Sequence, residues 1–328
     1  MILALETSCD DTCAAVLDGD GRIASNVISS QGIHDRYGGV VPEIASRHHL
    51  ELVNLAVDDA IARAGIELPD VDLVAVTQGP GLVGALLVGI ATAKGLAAAR
   101  ELPLTPVDHL QGHVAASFLA PHGLEPPFLC LIASGGHTLL ARVVRHDGFE
   151  VLGRTLDDAA GEAFDKGARL LGLPYPGGPA LERLAAGGEP GSFSFPTAEG
   201  VGGLDFSFAG VKTALLYRIR ELGEREARVR AADLAAAYQD AIVRALVVRV
   251  ERALDVTGLD ALAIGGGVAA NGLLRRRVQE LGIEVAVPDT ALCTDNAAMI
   301  AAAARHLPAL PYPEYLDLDA YATGQRGL

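Results

Sequence analysis

Cysteine is scarce: Cys9, Cys13, Cys130 and Cys293 are the four in a chain of 328 residues. They are too few and too dispersed for a disulfide framework or a paired CxxC zinc site, and read as reduced, mostly buried thiols. Long apolar runs are missing as well. None reaches the roughly 18 to 20 uninterrupted residues of a membrane-spanning helix, and the start MILALETS lacks the basic segment and cleavage region of a signal peptide. The expected location is the cytoplasm, with no membrane partner. Cations are outnumbered: 26 Lys and Arg face 41 Asp and Glu, a formal charge of −15. That argues against broad nonspecific nucleic-acid binding, which counterion release from phosphates drives. It leaves room for a local basic patch or a partner subunit. Arg275, Arg276 and Arg277 form the densest cationic run, which reads as a solvated helix face. The Walker pattern GxxxxGK[ST] is absent, which argues against a P-loop enzyme. What remains is 50% hydrophobic and 20% charged, the composition of a well-packed globular enzyme of one or two domains.

A repeat organises the chain. ILALET, SCDD and TCAAVLD read as strand, tight turn and strand; FLCLIA, SGGH and TLLARVVR return the same pattern over 128–145. A third strand follows each hairpin, RIASNVIS and FEVLGRTL. Later elements repeat too: LVAVTQ runs through the glycine turn GPGLVG into ALLVGIATAKGLAAA, and ALAIGG runs into GGVAANGLLRRRVQEL. The expected fold is therefore α/β, duplicated, with two lobes of like topology. An N-terminal lobe covers 1–112 plus about 300–328, and a C-terminal lobe covers 113–299. The second lobe carries a helical insertion at about 157–235, where a shared scaffold acquires specificity. Such a duplication resembles the actin, Hsp70 and sugar-kinase (ribonuclease H-like) architecture. That resemblance implies a nucleotide in the cleft between lobes, with the hairpin turns facing its phosphates.

Several residues carry candidate chemistry. His109 and His113 stand at helical spacing i, i+4 on one face, where two imidazoles can bind one metal or form a hydrogen-bonded structural pair. A third ligand is needed to decide. A zinc protease needs a glutamate directly after the first histidine; Leu110 stands there instead. The turn SGGHT offers the Ser134 hydroxyl and the amides of Gly135 and Gly136 to a phosphate, or is an ordinary hairpin turn. GGGVAAN at 265–271 puts amides at a helix start, where Asn271 reads a base or sugar or caps the helix. GPGLVG matches GxGxxG, but no acidic residue closes a strand about 20 residues later, which weakens a dinucleotide reading. Glu6, Asp10 and Asp11 flank the first hairpin turn as metal–water holders, bases or turn stabilisers. Asp157, Asp158, Glu162 and Asp165 recur at helical spacing, as a solvated face or for hydroxyl recognition. Lys212 contacts a phosphate or pairs with an acidic neighbour.

Taken together, ALETSCDDT, YGGVVPEIASRHH, GPGLVGALLVG, HLQGH, SGGHT, DDAAGEAFDKGARLLGLPYPGG, LDFSFAGVKTA, GGGVAANGLLR and CTDNAAMIA resemble the tRNA N6-adenosine threonylcarbamoyltransferase family, formerly called O-sialoglycoprotein endopeptidases. The resemblance covers nearly the whole chain. Its departures are small, such as Ala133 and Ala209 where the family often has Val and Ser. It implies transfer of the threonylcarbamoyl group of threonylcarbamoyl-AMP to N6 of the adenosine 3′ of the anticodon in tRNAs reading ANN codons. It implies one divalent metal, Fe(2+) or Zn(2+), on His109, His113 and Asp295, although Asp295 also stands where it could cap the helix near TDNAAM. It implies substrate contacts at Ile132, Ala133, Ser134, Gly135, Gly136, Asp165, Gly178 and Asn271. Asp10 or Asp11 is the expected proton acceptor. The implied partners are tRNA, a paralogous subunit of the same fold and a small P-loop ATPase. An actin-like metal-dependent ATPase or kinase, and a non-catalytic nucleotide-binding scaffold, are the competing expectations.

Overall fold

The computed structural model describes residues 1–119, 123–197 and 200–322, and the chain divides into two compact units. Residues 120–122, 198–199 and 323–328, which fall within the expected lobe and insertion ranges, lie outside the described residues. The first unit comprises Met1–Pro126, Arg145–Phe149 and the described part of Thr294–Leu328; the second comprises Pro127–Val144 and Glu150–Cys293.

The first sheet contains β1 (Ile2–Glu6), β2 (Asp11–Leu17), β3 (Ile23–Ser30), β4 (Leu73–Gly79) and β5 (Leu104–Asp108) in the order β3-β2-β1-β4-β5. β1 to β3 pair antiparallel, and β4 and β5 continue parallel to β1. The helices of this part are α1 (Pro42–Ala64), α2 (Val83–Ala98) and α3 (His109–Ala115). Proline at its start preorganises α1, and Gly65 at φ 67° closes it in the left-handed conformation that glycine adopts without steric cost. Leu3, Leu5, Val74 and Val76 meet Val57, Leu86 and Ile90 in the core of this unit.

The second sheet contains β6 (Phe128–Ala133), β7 (Thr138–Arg145), β8 (Gly148–Arg154), β9 (Ala261–Gly265) and β10 (Glu284–Ala286) in the order β10-β9-β6-β7-β8. Strand for strand this is the first sheet again: a hairpin, a third strand beyond it, and two strands parallel to the first on its other side. β6 is buried at every position, as a central strand covered on both faces must be, which explains its continuous apolar run. One α-helix, α1, joins β3 to β4, whereas four, α4 (Ala160–Leu170), α5 (Gly177–Ala185), α6 (Ala209–Val229) and α7 (Ala231–Thr257), join β8 to β9 among the described residues. The first three fall inside the segment expected as an insertion. Tyr238, Ile242 and Leu246 of α7 pack with Leu129, Leu131, Leu262 and Ile264 to make this unit's own core. α8 (Gly272–Gln279) and α9 (Thr290–Cys293) complete it, and α10 (Ala297–Ala304) belongs to the first unit.

The expected divisions at 112 and about 300 therefore differ from the structural ones, near Pro126 and Thr294. The physical reason is the packing of α3 on α10. A Cβ at Gly112 would lie 2.7 Å from Ile300 Cδ1, so the glycine of HLQGH permits the approach that keeps both helices in one unit. Among the described residues no helix is long and apolar enough to cross a membrane.

Candidate metal centre

Three side chains of the first unit converge. Asp108 ends β5 and caps α3, accepting from the amides of Leu110 at 2.8 Å and Gln111 at 3.2 Å. His109 and His113 then project from one face, with ring centroids 4.7 Å apart and planes at 78°. Asp295 precedes α10. The cap of that helix is Asn296, which accepts from Met299 N at 3.0 Å, so the capping role considered for Asp295 is filled by its neighbour. Asp295 Oδ1 lies 3.3 Å from His113 Nε2 and 3.6 Å from His109 Nε2. Both histidines are buried, while the Asp295 side chain is 22% exposed. The cluster is closed behind the imidazoles and open at the carboxylate.

The donor set fits a metal ion. One ligand atom from each residue lies within 4.8 Å of the other two. Neither ring nitrogen of His113 has a hydrogen-bond partner among the described residues. Leaving such a buried group unsatisfied costs about 1–3 kcal/mol, a penalty that coordination removes. His109 is held differently: its Nδ1 lies 3.0 Å from Glu6 Oε2 and 3.2 Å from Ser8 Oγ. Thr77 Oγ1 donates to the same Glu6 oxygen at 2.6 Å, and the Ser8 amide donates to Oε1. Burial by itself would raise the Glu6 carboxyl; the charge and hydrogen bond of His109, with the Thr77 hydroxyl, hold it below the usual carboxylate range. Burial would lower His109, but Asp295 and Glu6 outweigh it and push the imidazole up to about 9.

Asp10 and Asp11 occupy the turn and the start of β2 in the same unit. Gln31 N donates to Asp10 O at 3.1 Å. Burial pushes the Asp11 carboxyl up to about 7, against a hydrogen bond with Ser30, and Asp295, Asp10 and Glu6 add to the rise. Beneath the turn, His49 bridges Thr12 Oγ1 at 2.7 Å and Cys9 O at 3.0 Å, tying it to α1. GPGLVGALLVG has a packing role here. A Cβ on Gly81 would lie 2.6 Å from Ser8 O, one on Gly89 would lie 2.4 Å from Thr7 Oγ1, and Leu82 N donates to Ser8 O at 2.8 Å.

The expected substrate contacts lie in the second unit. Ile132 and Ala133 end β6, buried. Ser134 N donates to His137 O at 2.8 Å and Ser134 Oγ accepts from His137 N at 3.0 Å, closing the turn on itself. Gly135 and Gly136 are exposed, with open space where a Cβ would stand, so their backbone can be approached closely. Asp165 Oδ1 accepts from Gly177 N at 2.8 Å at the start of α5, and burial raises its carboxyl. Gly178 has no tight neighbour at its missing Cβ. Asn271 caps α8, accepting from Leu273 N and Leu274 N at 3.1 Å each, and donates to Gln239 Oε1 at 2.9 Å. Its capping role is met.

The remaining charges are mostly spent within the inserted helices. Asp157 accepts from Phe208 N, Ala209 N and the Ser207 hydroxyl, while Asp158 and Glu162 pair with Lys166 at 2.7 and 3.0 Å. Lys212 stands 4.0 Å from Asp158. Arg275 turns inward to Ala269 O, Pro288 O and Cys293 Sγ, and Arg277 meets Asp240 at 3.0 Å, so that run is only partly a solvated face. Thr77, Asn296 and Gly112 were not among the residues expected at the centre, and Glu6, expected beside the hairpin turn as a metal–water holder, a base or a turn stabiliser, stands against His109. A carboxylate closing the otherwise apolar strand ILALE was the available signal.

A duplicated α/β scaffold with these hairpins defines the actin-like two-lobe class. Component A of (R)-2-hydroxyglutaryl-CoA dehydratase from Acidaminococcus fermentans shares the fold, with a TM-score of 0.58 at 14% identity over 93% of this chain and 96% of that one. The particular family follows from sequence. The model of the family tRNA N6-adenosine threonylcarbamoyltransferase matches residues 22–302. A protein of that name from Symbiobacterium thermophilum is 50% identical over 98% of this chain and 95% of its own. Another, from an Anaeromyxobacter species, is 53% identical over 93% of each. The chain belongs to this family of transferases.

Proposed function

We propose that this chain modifies tRNA by transferring the threonylcarbamoyl group of threonylcarbamoyl-AMP to N6 of the adenosine 3′ of the anticodon in tRNAs reading ANN codons, releasing AMP. Family membership supports the reaction class. The observation that carries the site is the convergence of His109, His113 and Asp295, with the buried His113 nitrogens lacking any other partner. These residues would hold one Fe(2+) or Zn(2+), for which two imidazoles and a carboxylate are suitable ligands. When bound, such an ion supplies Lewis-acid polarisation of a substrate oxygen.

The chain's own residues do the rest. The amides of Gly135 and Gly136 and the Ser134 hydroxyl bind the adenylate phosphate, and Asp165, Gly178 and Asn271 line the remainder of the donor with Ile132 and Ala133. The adenine N6 attacks the carbamoyl carbon. A C–N bond forms, the bond from that carbon to the phosphate oxygen breaks, and AMP leaves with the electron pair. Asp11 takes the N6 proton, with Asp10 as its alternative in the same turn. A carboxyl pushed up to about 7 accepts a proton near neutral pH more readily than an ordinary one. A charge of −15 is a poor match to tRNA on its own, which supports a tRNA surface completed by a paralogous same-fold subunit, with a small P-loop ATPase as a further partner. The setting is the cytoplasm.

The test is mass spectrometry of nucleosides from unmodified tRNA incubated with the chain, its partners, threonylcarbamoyl-AMP and metal. A threonylcarbamoyl mass gain on adenosine with the wild-type chain, and none with His109→Ala, is expected. ATP turnover without tRNA and without that gain would favour a kinase or ATPase of the same fold.

A further inference from the structure

We propose that Glu6 is a positioning residue for the metal centre. Its buried carboxylate fixes the His109 ring so that Nε2 is the metal-binding nitrogen, and it adds a second negative charge behind a dication on His109, His113 and Asp295. This rests on the metal reading above. Glu6 ends β1 after four apolar residues and is fully inaccessible. A buried charge is retained only where it is paired and hydrogen-bonded. Both conditions are met: the Ser8 amide donates to Oε1, the Thr77 hydroxyl donates to Oε2 at 2.6 Å, and His109 Nδ1 lies 3.0 Å from Oε2.

The proton follows from the acceptors. Both Glu6 oxygens already serve as acceptors, Oε1 for the Ser8 amide and Oε2 for the Thr77 hydroxyl, so the hydrogen on the 3.0 Å contact between Oε2 and His109 Nδ1 sits on the ring nitrogen. The Ser8 hydroxyl, 3.2 Å from the same nitrogen, stands as a second neighbour on that side. With the Nδ1 hydrogen held by Glu6, Nε2 is the nitrogen left to offer its lone pair to a metal ion, and it is the atom that faces Asp295 Oδ1. A carboxylate on the far nitrogen of a ligating histidine fixes its tautomer and orientation and raises its basicity. His113 has no such partner on Nδ1 among the described residues, so His109 is the preoriented ligand of the pair. The charges also balance: Asp295 and Glu6 together neutralise a doubly charged ion in a site whose imidazoles are buried.

The duplication supplies an independent observation. The residue that ends the first strand of the second unit is Ala133. That copy of the scaffold carries no carboxylate at the position, and it lacks the histidine pair.

The experiment uses the full chain, stripped of metal and titrated with Zn(2+) and Co(2+) against a chromophoric chelator. Glu6→Gln keeps length and shape while removing the charge. It should weaken metal binding by about 10–100-fold and shift the Co(2+) visible absorption bands, with the metal-free melting temperature no lower than that of the wild type. Glu6→Asp should restore part of the affinity. If Glu6→Gln does not fold, nitrogen-15 spectra of the Zn(2+)-loaded wild-type chain decide: His109 protonated at Nδ1 and ligated through Nε2 is expected, and ligation through Nδ1 overturns the proposal. Wild-type affinity and an unchanged Co(2+) spectrum in folded Glu6→Gln also overturn it. A wild-type chain that binds no metal refutes the metal reading itself, a distinguishable failure.

Discussion

The turns that follow β1 and β6 occupy the same place in the same strand order, and their chemistry is opposite. In the first unit Glu6 and Asp295 stand against a histidine pair, and Asp11, at the start of β2, is raised by burial, with Asp295, Asp10 and Glu6 adding to the rise. That collection calls for a cation. In the second unit the turn is Ser134–Gly135–Gly136–His137, with exposed glycines and no carboxylate in it. Amides and a hydroxyl suit an anion. A glycine packs close at each place: a Cβ on Gly81 would lie 2.6 Å from Ser8 O in the first turn, and one on Gly266 would lie 2.4 Å from Ala133 O, at the end of β6 just before the second. The scaffold thus fixes where a turn stands. A handful of residues on the turn, and on the helices beside it, decides which charge it receives.

Substitutions can break this contrast. The largest effect is expected from His113→Ala, which removes one of the three proposed ligands. A bound ion contributes several kcal/mol to the transition state, so transfer should fall by roughly 10³-fold or more, and metal should be lost from the purified chain on elemental analysis. Gly112→Val comes next. Its side chain enters the space held by Ile300 Cδ1, at a cost of about 1–3 kcal/mol, and by pushing α10 from α3 it should weaken metal binding as well. The matched change in the other turn, Gly135→Ala, meets open space. It should leave the melting temperature and metal content alone while weakening binding of an adenylate, measured by calorimetry.

The helix caps sharpen the comparison further. Asn271→Ala and Asn296→Ala each remove a capping side chain worth about 0.5–2 kcal/mol, and both should lower the melting temperature. Only Asn296→Ala, adjacent to Asp295, should also weaken metal binding. The smallest effect is a pH dependence. Asp11 is raised in the folded chain to about 7, so its contribution to stability is present below the ordinary carboxylate range and is lost as pH rises through about 7. In the metal-free chain the melting temperature of Asp11→Asn, relative to wild type, should therefore climb between pH 5 and pH 8. A constant difference would show that Asp11 ionises normally.

Much of this arrangement was legible in the residues. Alternation and glycine turns gave both hairpins, because a β-strand reports its pairing through local pattern, and the repeat gave the common topology. HLQGH offered its histidines through helical spacing. Other features are set by contacts distant in sequence. The unit boundary depends on Gly112 meeting Ile300, and the choice of Asn296 over Asp295 as the α10 cap depends on which side chain the fold turns toward the histidines. Glu6 and Thr77, 71 residues apart, meet only because β1 lies beside β4. Local pattern carries no signal for such a meeting.

The measurement that tests the account most directly is threonylcarbamoyl-adenosine formed per chain, followed against metal bound per chain, for wild type and Asp295→Ala under the same partners and donor. The account predicts product that rises in proportion to metal, reaching one ion per wild-type chain, with neither metal nor product in Asp295→Ala. Full transfer by a metal-free chain, or by Asp295→Ala, would contradict it.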